Sequence, residues 1–441
     1  MAAARSPGHT EIDLAESTAA ARAFGAPCGY RTFFADEKTV HADQLAQRLR
    51  TLDGADPQYA GQFVDTVLEA AVTSAASDVH FQPSADGLEV LLRVDGVLMP
   101  LGRFSAGTST NVVTRLKVLA ELLTYRSDLP QEGRLRAPDA SIEMRVSTFP
   151  TIYGEKAVVR LFQSGTRFLH LEDLGLPPET LQALTRMLAE TAGAILVTGP
   201  AGSGKTTTLY ACLREIVRSG AGARSIASIE DPVEVAVAGV AQSQVNPAAG
   251  FDLAAGLRSI LRQDPQVVMV GEMRDRITAE LALQASLTGQ LVLTSFHAST
   301  AASALSRLLD MGIEPYVIRS GVLGILCQRL VRRLCDCSRP ISSPQELLGL
   351  DAPEGRAPGG CPKCGGTGYR GRTLLIEMMT LGTPGLGPAI LERADAGRLH
   401  RLAAEQGMVD LAEQARRAVA AGTTSPAEVR RVLGFSVSPS S

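Results

Sequence analysis

Apolar and polar residues recur with two different periods along the first half of the chain. The segment GQFVDTVLEAAVTSAAS, which begins at Gly61, has helical spacing, and SDVHFQP after it reads as a strand. Two apolar runs in LEVLLRVDGVLMPL surround Asp95-Gly96, a dipeptide typical of a tight hairpin. Next come an amphipathic helix, TNVVTRLKVLAELLTY, and two strands within SIEMRVSTFPTIYGEKAVVRLF. The pattern therefore predicts an α+β domain over residues 61–165.

The residues on either side of this domain have weaker patterns. Residues 1–60 are rich in alanine, with glycine and proline interspersed, and we expect a short amino-terminal lead-in there. Residues 166–190 contain glycine and proline between the patterned regions, and they are predicted to form a linker.

From residue 191 the pattern changes to a regular alternation of strands and helices. The segments in order are AILVTG, KTTTLYACLREIVR, RSIASIED, FDLAAGLRSILRQ, QVVMVGE, ITAELALQASLTG and LVLTSFH. Such an alternation, with nearly continuous apolar strands, predicts a parallel sheet covered on both faces over residues 191–333. Cys327 is placed on an amphipathic helix at the end of this region. A cysteine-bearing module, residues 334–372, and a helical region, residues 373–441, complete the predicted organisation.

Composition places the chain among large globular proteins. With 441 residues, 45% apolar and 20% charged, it has material for about two to four domains. The net charge of −3 argues against general binding to nucleic acid. No run of roughly 18 apolar residues predicts a membrane span, and the first residues lack the apolar centre of a signal peptide. We therefore expect a multidomain cytoplasmic protein.

The strongest chemical signal is a glycine-rich loop between a predicted strand and a predicted helix. Residues 199–206 read GPAGSGKT and match the pattern G-x-x-x-x-G-K-[ST] in full. The N–H groups of such a loop surround phosphate oxygens at the positive end of the helix. Lys205 is expected to reach the β- and γ-phosphates of ATP, and the Thr206 hydroxyl to bind Mg²⁺. The predicted nucleotide-binding residues are Gly199, Pro200, Ala201, Gly202, Ser203, Gly204, Lys205, Thr206 and Thr207.

Three further polar segments follow predicted strands of the same sheet. They read SIEDPVE (228–234), MVGEMRD (269–275) and TSFHAST (294–300). In an open α/β sheet the carboxyl ends of the strands form the edge that binds the ligand, so these segments are candidates for the nucleotide site. From the residues alone, the acids of 228–234 could also form a solvated loop, and His297 could be structural.

Together with the phosphate loop, these segments resemble the four nucleotide boxes of the secretion ATPases that drive type II secretion and type IV pilus assembly. LPQEGR (129–134) and RVSTFPTIYGEKAVVR (145–160) resemble the amino-terminal domain of that family, and RGRTLLIEMM (370–379) resembles its tail. The similarity covers residues 60–435. It implies an α/β fold with a RecA-like P-loop core, preceded by an α+β, PAS-like domain and followed by a small zinc module and a helical tail. It also implies a protein-secreting ATPase.

The resemblance assigns roles to the acids and to the histidine. Glu272 would polarise the attacking water, and Glu230 and Asp231 would face Mg²⁺ and its water shell from the neighbouring strand. His297 would sense the γ-phosphate. Gly271 precedes the glutamate as it does in the family, so it is no departure from the pattern.

Three arginines of the amino-terminal domain are further candidates. Arg145 and Arg160 flank the predicted strand pair, and by resemblance they are charge-stabilising fingers that reach an ATP, including one in a neighbouring subunit. Arg134, in QEGR, is a third candidate, while the residues alone would also fit ordinary surface arginines. The resemblance further implies a homo-hexamer that associates peripherally with the inner membrane through secretion platform proteins.

Four of the seven cysteines form two close pairs. One residue separates Cys335 from Cys337, two separate Cys361 from Cys364, and 23 residues lie between the pairs. Four thiolates in two pairs predict a closed, structural Zn²⁺ site. The family's usual first pair has two intervening residues rather than one, and reduced thiols without metal are the alternative.

The resemblance favours a motor that powers pseudopilus growth for protein export through a type II secretion system. Type IV pilus assembly is the alternative within the class, and a retraction ATPase is disfavoured because that group lacks the tetracysteine module. A nucleic-acid motor on the same core is the alternative from another class. The acidic balance and the aromatic content of 4% argue against it, so we expect no nucleic-acid partner. Glu272 opposes a scaffold that binds ATP without cleaving it.

Overall fold

The structure is a computed structural model that describes residues 47–136, 142–163, 168–220 and 224–434. All of these residues belong to one unit, Thr39–Ser441. Most of the predicted lead-in, residues 1–60, lies outside the described residues. Within the described part of the chain, every helix is too short or too polar to serve as a membrane span.

An α+β domain forms the first part of the described chain. Two helices, α1 (Tyr59–Thr73) and α2 (Ala106–Leu119), pack on each other and against a six-stranded sheet. Its strands are β1 (Asp78–Ser84), β2 (Gly87–Val94), β3 (Val97–Phe104), β4 (Gln131–Arg136), β5 (Ile142–Thr151) and β6 (Gly154–Gln163). Neighbouring strands are antiparallel throughout, in the order β3-β2-β1-β6-β5-β4.

Strand β2 shows why these residues form a half-buried sheet. Leu88, Val90 and Leu92 are buried, and the residues between them are partly exposed. A period of two places one face of the strand in the apolar core. Asp95 and Gly96 form the predicted hairpin turn, with φ angles of 49° and 81°, the positive values that a two-residue turn of type I′ requires.

A second sheet of seven strands carries the nucleotide motifs. Four fully buried strands lie at its centre: β7 (Gly193–Thr198), β8 (Ile226–Glu230), β10 (Val267–Val270) and β11 (Leu291–Phe296). The others are β9 (Ala241–Gln244), β12 (Val322–Leu334) and β15 (Tyr369–Thr380). The order is β15-β12-β7-β11-β10-β8-β9, and every neighbouring pair is parallel except β12 with β15. The sheet is therefore mixed, whereas the pattern predicted a parallel one.

Helices cover both faces of this sheet, as the alternating pattern predicts. Along β7, Ala194 and Leu196 belong to one apolar core, while Ile195 and Val197 belong to another on the opposite face. The helices are α3 (Pro178–Ala189), α4 (Lys205–Arg218), α5 (Leu253–Ile260), α6 (Arg276–Leu287), α7 (Ala301–Asp310), α8 (Pro315–Gly321), α9 (Leu386–Leu391), α10 (Ala396–Glu405), α11 (Leu411–Ala420) and α12 (Pro426–Leu433).

Three segments differ from the sequence-based expectations. Cys327 lies in strand β12 rather than on a helix, and the predicted helical region, residues 373–441, begins inside strand β15. The predicted linker, residues 166–190, contains α3. Strands β12 and β15 pair with each other along almost their whole length, and this partner is distant in sequence. Along β12, burial on both faces removes the alternation by which a strand is recognised.

The cysteine module is an insertion between two paired strands of the core sheet. Between β12 and β15 the chain forms two two-residue strands, β13 (Arg339–Pro340) and β14 (Arg356–Ala357), and short 3₁₀ turns. The helices after β15 then pack back onto the core, because Leu399 and Leu411 share an apolar cluster with Leu257 of α5. The carboxyl-terminal region is thus part of the same packed body as the nucleotide strands.

The hairpin turn of the amino-terminal domain contacts the start of β15. The Gly371 N–H donates to Asp95 Oδ2 at 2.9 Å, and Arg372 Nε lies 3.7 Å from Asp95 Oδ1. The first domain therefore contacts the residues that follow the cysteine module.

Candidate active site

The phosphate loop connects β7 to α4. Gly199, Gly202 and Gly204 have positive φ angles of 147°, 72° and 90°. A Cβ atom on Gly199 would lie 2.5 Å from the carbonyl oxygen of Gln328, so this position accepts only glycine. Gly204 directly precedes α4, and the free N–H groups of the first helical turn border the loop. The loop therefore has the form of an anion site.

Lys205 supplies the positive charge of this loop. Its Nζ donates to the carbonyl oxygens of Gly199 and Pro200, each at 3.0 Å. Burial lowers the pKa of Lys205, and the nearby carboxylate of Glu272 opposes this shift. Thr206 is half-buried at the start of α4, and its neighbour Thr207 is exposed. The ammonium group and the Thr206 hydroxyl thus stand at the same helix end.

A buried glutamine of β12 holds the phosphate loop in place. Gln328 Nε2 donates to the Ser203 carbonyl at 2.9 Å, and the Thr208 hydroxyl donates to Gln328 Oε1 at 3.2 Å. The Ser203 hydroxyl is buried and has no hydrogen-bond partner among the described residues. A phosphate oxygen would satisfy that hydroxyl, so the loop fits the group that the motif predicts. Pattern reasoning missed Gln328, because its role depends on a sheet neighbour distant in sequence.

Glu272 and His297 meet at the carboxyl edge of the core sheet. Glu272 lies just beyond the end of β10, and His297 directly follows β11. The Nε2 atom of His297 contacts Glu272 Oε1. Arg274 Nε donates to the other oxygen, Glu272 Oε2, at 2.6 Å, and its Nη1 lies 3.4 Å from Asp231 Oδ2. The structure thus brings together three predicted residues and adds Arg274, a member of the 269–275 segment to which the sequence assigned no role.

The glycine before Glu272 has a steric reason. The Gly271 N–H donates to the Ile229 carbonyl at 2.9 Å, and the Ser295 hydroxyl donates to the Gly271 carbonyl at 2.7 Å. A Cβ atom at this position would lie 3.3 Å from the Cα of Glu230. The chain therefore passes close to β8, and the next residue carries the acid.

Glu230 is enclosed by the protein, which differs from its predicted position facing Mg²⁺. Its carboxylate accepts hydrogen bonds from the hydroxyls of Tyr210 and Ser228, both at 2.5 Å, and from Gln242 Nε2 at 3.0 Å. The residue is 2% exposed. Tyr210 in turn accepts the N–H of Glu234 at 3.0 Å. Because both carboxylate oxygens have protein donors, Glu230 orders the loop after β8, and the half-exposed Asp231 is the acid of this pair that solvent reaches.

Four arginines of the amino-terminal sheet lie in one row across its strands. Residues directly opposite one another on β4, β5, β6, β1 and β2 are, in that order, Arg134, Arg145, Arg160, Asp78 and Arg93. Opposite residues on neighbouring strands share a face of the sheet. Asp78 lies 2.9 Å from Arg160 Nε and 3.4 Å from Arg93 Nε. Four guanidinium groups and one acid therefore share this row.

Arg145 and Arg160 lie within electrostatic reach of the core. Burial and the charge of Glu230 raise the pKa of Glu234, while the positive charges of Arg145 and Arg160 act in the opposite direction. The Arg145 side chain is 15% exposed, and its guanidinium lies 4.8 Å from the centre of the Phe162 ring. The Arg160 side chain is 65% exposed. The structure therefore places both arginines near the loop after β8, and their role as fingers stays a prediction.

The four clustered cysteines converge on one point. Their Sγ atoms lie within 4.8 Å of one another, with separations of 3.8 Å for Cys335–Cys361, 3.9 Å for Cys337–Cys364 and 3.7 Å for Cys361–Cys364. A tetrahedral zinc ion with Zn–S bonds of about 2.3 Å requires sulfur separations of about 3.8 Å. The shortened first pair therefore still brings both of its thiols to the cluster, which could hold a metal such as zinc.

The backbone around Cys364 favours a thiolate. Burial raises the pKa of this thiol, but the N–H groups of Cys361 and Gly368 donate to its Sγ at 3.3 and 3.2 Å, and the resulting pKa is about 6. Thiolates are the form of cysteine that binds metal, so the turn is suited to ligation.

The phosphate loop and the Glu272–His297 pair, at the carboxyl edge of a mixed sheet, define an α/β P-loop ATPase. Solved structures share this fold. The ATPase DotB of Legionella pneumophila is 21% identical with a TM-score of 0.62, over 86% of this chain and 97% of that one. The pilus retraction motor PilT with bound ADP is 23% identical with a TM-score of 0.58, over 85% and 96%.

Comparison of sequences identifies the family to which the chain belongs, in addition to its fold. Residues 53–431 match the family described as type II/IV secretion system protein, and this chain belongs to that family. The chain is 43% identical to the type II secretion system ATPase E of Vibrio cholerae, over 77% of this chain and 68% of that protein. It is 42% identical to the putative type II secretion system protein E of Escherichia coli, over 84% and 76%. The family resemblance seen in the sequence is thereby confirmed.

Proposed function

We propose that this chain is the motor ATPase of a type II secretion system, which hydrolyses ATP to power pseudopilus growth and protein export. The observation that carries the proposal is the contact of His297 with Glu272 beside Lys205, in a chain that belongs to the secretion family. Relatives that are 42–43% identical over about four fifths of the chain are named as type II secretion proteins.

ATP hydrolysis at this site would depend on the positions of the reacting groups and on the charges around the phosphates. Lys205 and the N–H groups of the loop bind the β- and γ-phosphates, and Glu272 polarises the water that attacks the γ-phosphorus. The bond between the γ-phosphorus and the bridging oxygen breaks, so that ADP and phosphate leave. His297, in contact with Glu272, senses the γ-phosphate. Thr206 and Asp231 would hold Mg²⁺, which neutralises phosphate charge when bound.

Glu230 has a different role in this proposal from the one that the sequence suggested. It acts through Tyr210, whose hydroxyl connects it to the N–H of Glu234, and so keeps the loop of Asp231 in place. Glu230 is therefore a positioning residue. Its enclosure by three donors supports this role.

Arg145 and Arg160 are proposed to supply positive charge as the γ-phosphoryl group leaves, with Arg134 as a third candidate. The cross-strand row and the electrostatic effect on Glu234 support this proposal. Fingers of this kind can serve the ATP of a neighbouring subunit. We propose a homo-hexamer as the working form, held peripherally at the cytoplasmic face of the inner membrane by platform proteins.

The four clustered cysteines are proposed to bind one Zn²⁺ in a closed, structural site. Sulfur separations that match a tetrahedral ion support this proposal. The domain division is proposed as predicted, except that the core also includes α3, from the predicted linker, and β15. A PAS-like amino-terminal domain also stays a proposal, supported by an antiparallel sheet with α1 and α2 packed against it.

Type IV pilus assembly is the second candidate function. The type IV pilus assembly ATPase PilB of Thermus thermophilus is 38% identical over 85% of this chain, which spans 43% of that protein. We favour secretion because the relatives so named have the higher identity. A nucleic-acid motor stays the candidate from another class, and we propose no nucleic-acid partner.

Deletion of the gene in its own host distinguishes these functions. The proposal predicts loss of exported proteins from the culture medium, with surface pili retained, and restoration by the unaltered chain. A Lys205→Ala chain should restore nothing. Loss of pili with normal export would assign the chain to pilus assembly. Stimulation of ATP hydrolysis by DNA or RNA at low salt would favour the nucleic-acid motor.

A further inference from the structure

The segment that follows His297 is held by two buried side chains of β12 and β15. Arg329 Nη2 donates to the Ser299 carbonyl at 2.7 Å. The Ala301 N–H donates to Glu377 Oε1 at 2.6 Å. Arg329 is 7% exposed and Glu377 is 1% exposed. A guanidinium group and a carboxyl group thus fix the two ends of the short segment between His297 and helix α7.

Glu377 has a second partner in the carboxyl-terminal region. Its Oε2 accepts the N–H of Leu411, the first residue of α11, at 3.3 Å. One carboxylate therefore accepts N–H groups at the amino ends of two helices, α7 and α11. Helix amino ends have unpaired N–H groups and a partial positive charge, so a shared carboxylate stabilises both. Moving either helix would break one of its two bonds.

A second buried carboxylate, that of Glu428, has different partners from Glu377. Glu428 of α12 is fully buried as well, but its oxygens pair with Arg332 at 2.8 Å and with Arg431 at 2.6 Å. No hydrogen-bond partner of Glu428 in the described chain belongs to a nucleotide loop. Both carboxylates are buried, but Glu377, unlike Glu428, accepts a hydrogen bond from Ala301, which lies four residues after His297.

We propose that Glu377 is a positioning residue for ATP hydrolysis, which holds His297 against Glu272 and ties this contact to the carboxyl-terminal helices. The inference rests on the proposed ATPase function. Glu377 acts through its hydrogen bond with the Ala301 N–H and is not proposed to touch the nucleotide. A shift of α11 would therefore reach the catalytic pair through one hydrogen-bonded side chain.

Substitution of Glu377 by glutamine tests the proposal with little change in volume. The amide oxygen can accept one helix N–H, but the NH₂ group opposes the other. We expect the kcat for ATP hydrolysis to fall about ten-fold, with KM and nucleotide affinity nearly unchanged, because the catalytic pair is misplaced. The matched control, Glu428→Gln, should leave kcat within about two-fold at a temperature where both variants are folded. Equal losses of kcat in both variants would show that Glu377 is merely structural.

A double variant separates action through His297 from a general effect. If Glu377 acts through His297, then Glu377→Gln should have no further effect on kcat in a His297→Ala chain. Full additivity of the two losses would overturn the proposal.

Hydrogen exchange provides a readout that needs no catalysis. Glu377→Gln should speed amide exchange in peptides covering residues 298–304 and 411–415, and Glu428→Gln in neither. Unchanged protection of residues 298–304 would overturn the proposal. If the unaltered chain hydrolyses no ATP, the proposed function fails, and the exchange result decides on its own whether Glu377 holds this segment.

Discussion

The nucleotide edge and the cysteine module obtain their geometry in different ways. At the nucleotide edge, functional side chains stand on loops between fully buried strands, and buried side chains such as Gln328 hold those loops. The cysteine module contains two-residue strands and short turns around four thiols. The first region is shaped by the apolar core beneath it, whereas the second is organised around its four converging thiols.

Substitutions in the two regions should therefore affect different properties, ATP hydrolysis in the first and local folding in the second. A side chain lost at the nucleotide edge leaves the apolar clusters of the sheet intact, so the fold should persist while the reaction stops. A thiol lost from the module removes what orders a segment too small for its own core, so local structure should fail while the reaction continues.

Lys205→Ala should have the largest effect, because it removes the charge that binds the β- and γ-phosphates. We expect ATP hydrolysis to fall at least about 100-fold. The unfolding temperature should stay close to that of the unaltered chain. Phosphate release and thermal unfolding measure the two quantities. The same substitution at Lys363, an exposed lysine of the cysteine module, is the control and should leave hydrolysis unchanged. Hydrolysis retained in the Lys205 variant would show that Lys205 of the phosphate loop is not needed for the reaction.

Arg145→Ala and Arg160→Ala should each lower turnover about ten-fold or more, because a charge that stabilises the leaving phosphoryl group is lost. Nucleotide affinity should change little, since the phosphate loop is untouched. Steady-state hydrolysis and nucleotide binding measure the two effects. Arg103→Ala, on the edge strand β3 and paired with Glu89 outside this row, is the matched control and should change turnover little.

Mixing tests whether the arginines act between subunits. An Arg145→Ala chain mixed with a Lys205→Ala chain should regain activity if the finger serves a neighbouring site. Unchanged turnover in both single variants would show that Arg145 and Arg160 are ordinary surface residues.

Cys337→Ser should have the smallest effect on hydrolysis and a large effect on the module. Elemental analysis should find one zinc per unaltered chain and much less in the variant. Hydrogen exchange should show local unfolding of residues 335–370, with basal hydrolysis within about two-fold of the original. Cys212→Ser, which alters a buried cysteine of α4, is the control and should retain zinc. Well under one zinc in the unaltered chain, with four titratable thiols, would contradict the zinc proposal.

Local pattern was sufficient for the elements that carry the nucleotide motifs. Strands β7 and β11 are short apolar runs between recognisable turns, and the Asp95-Gly96 turn has its own signature. Strands β12 and β15 could not be recognised in this way. Strand β12 is buried on both faces along most of its length, and β12 and β15 are each defined by a partner far away in sequence.

The site shows the same limit. Glu272 and His297 were predicted because each follows a strand in a recognisable motif, and the sheet brings them together. Arg274 and Gln328 were missed, because their roles depend on which side chains face each other across the sheet. The enclosure of Glu230 was missed for a similar reason, since the donors that occupy it come partly from other elements.

Nucleotide turnover by Glu272→Gln tests directly whether Glu272 activates the attacking water. Glutamine keeps the shape of the side chain but polarises water poorly, so the variant should bind ATP with normal affinity and retain it uncleaved. Single-turnover hydrolysis with radiolabelled ATP, measured together with binding, gives both quantities in one preparation. We expect intact binding and a loss of hydrolysis of about 100-fold or more. Hydrolysis at the rate of the unaltered chain would contradict this expectation and remove Glu272 from the reaction.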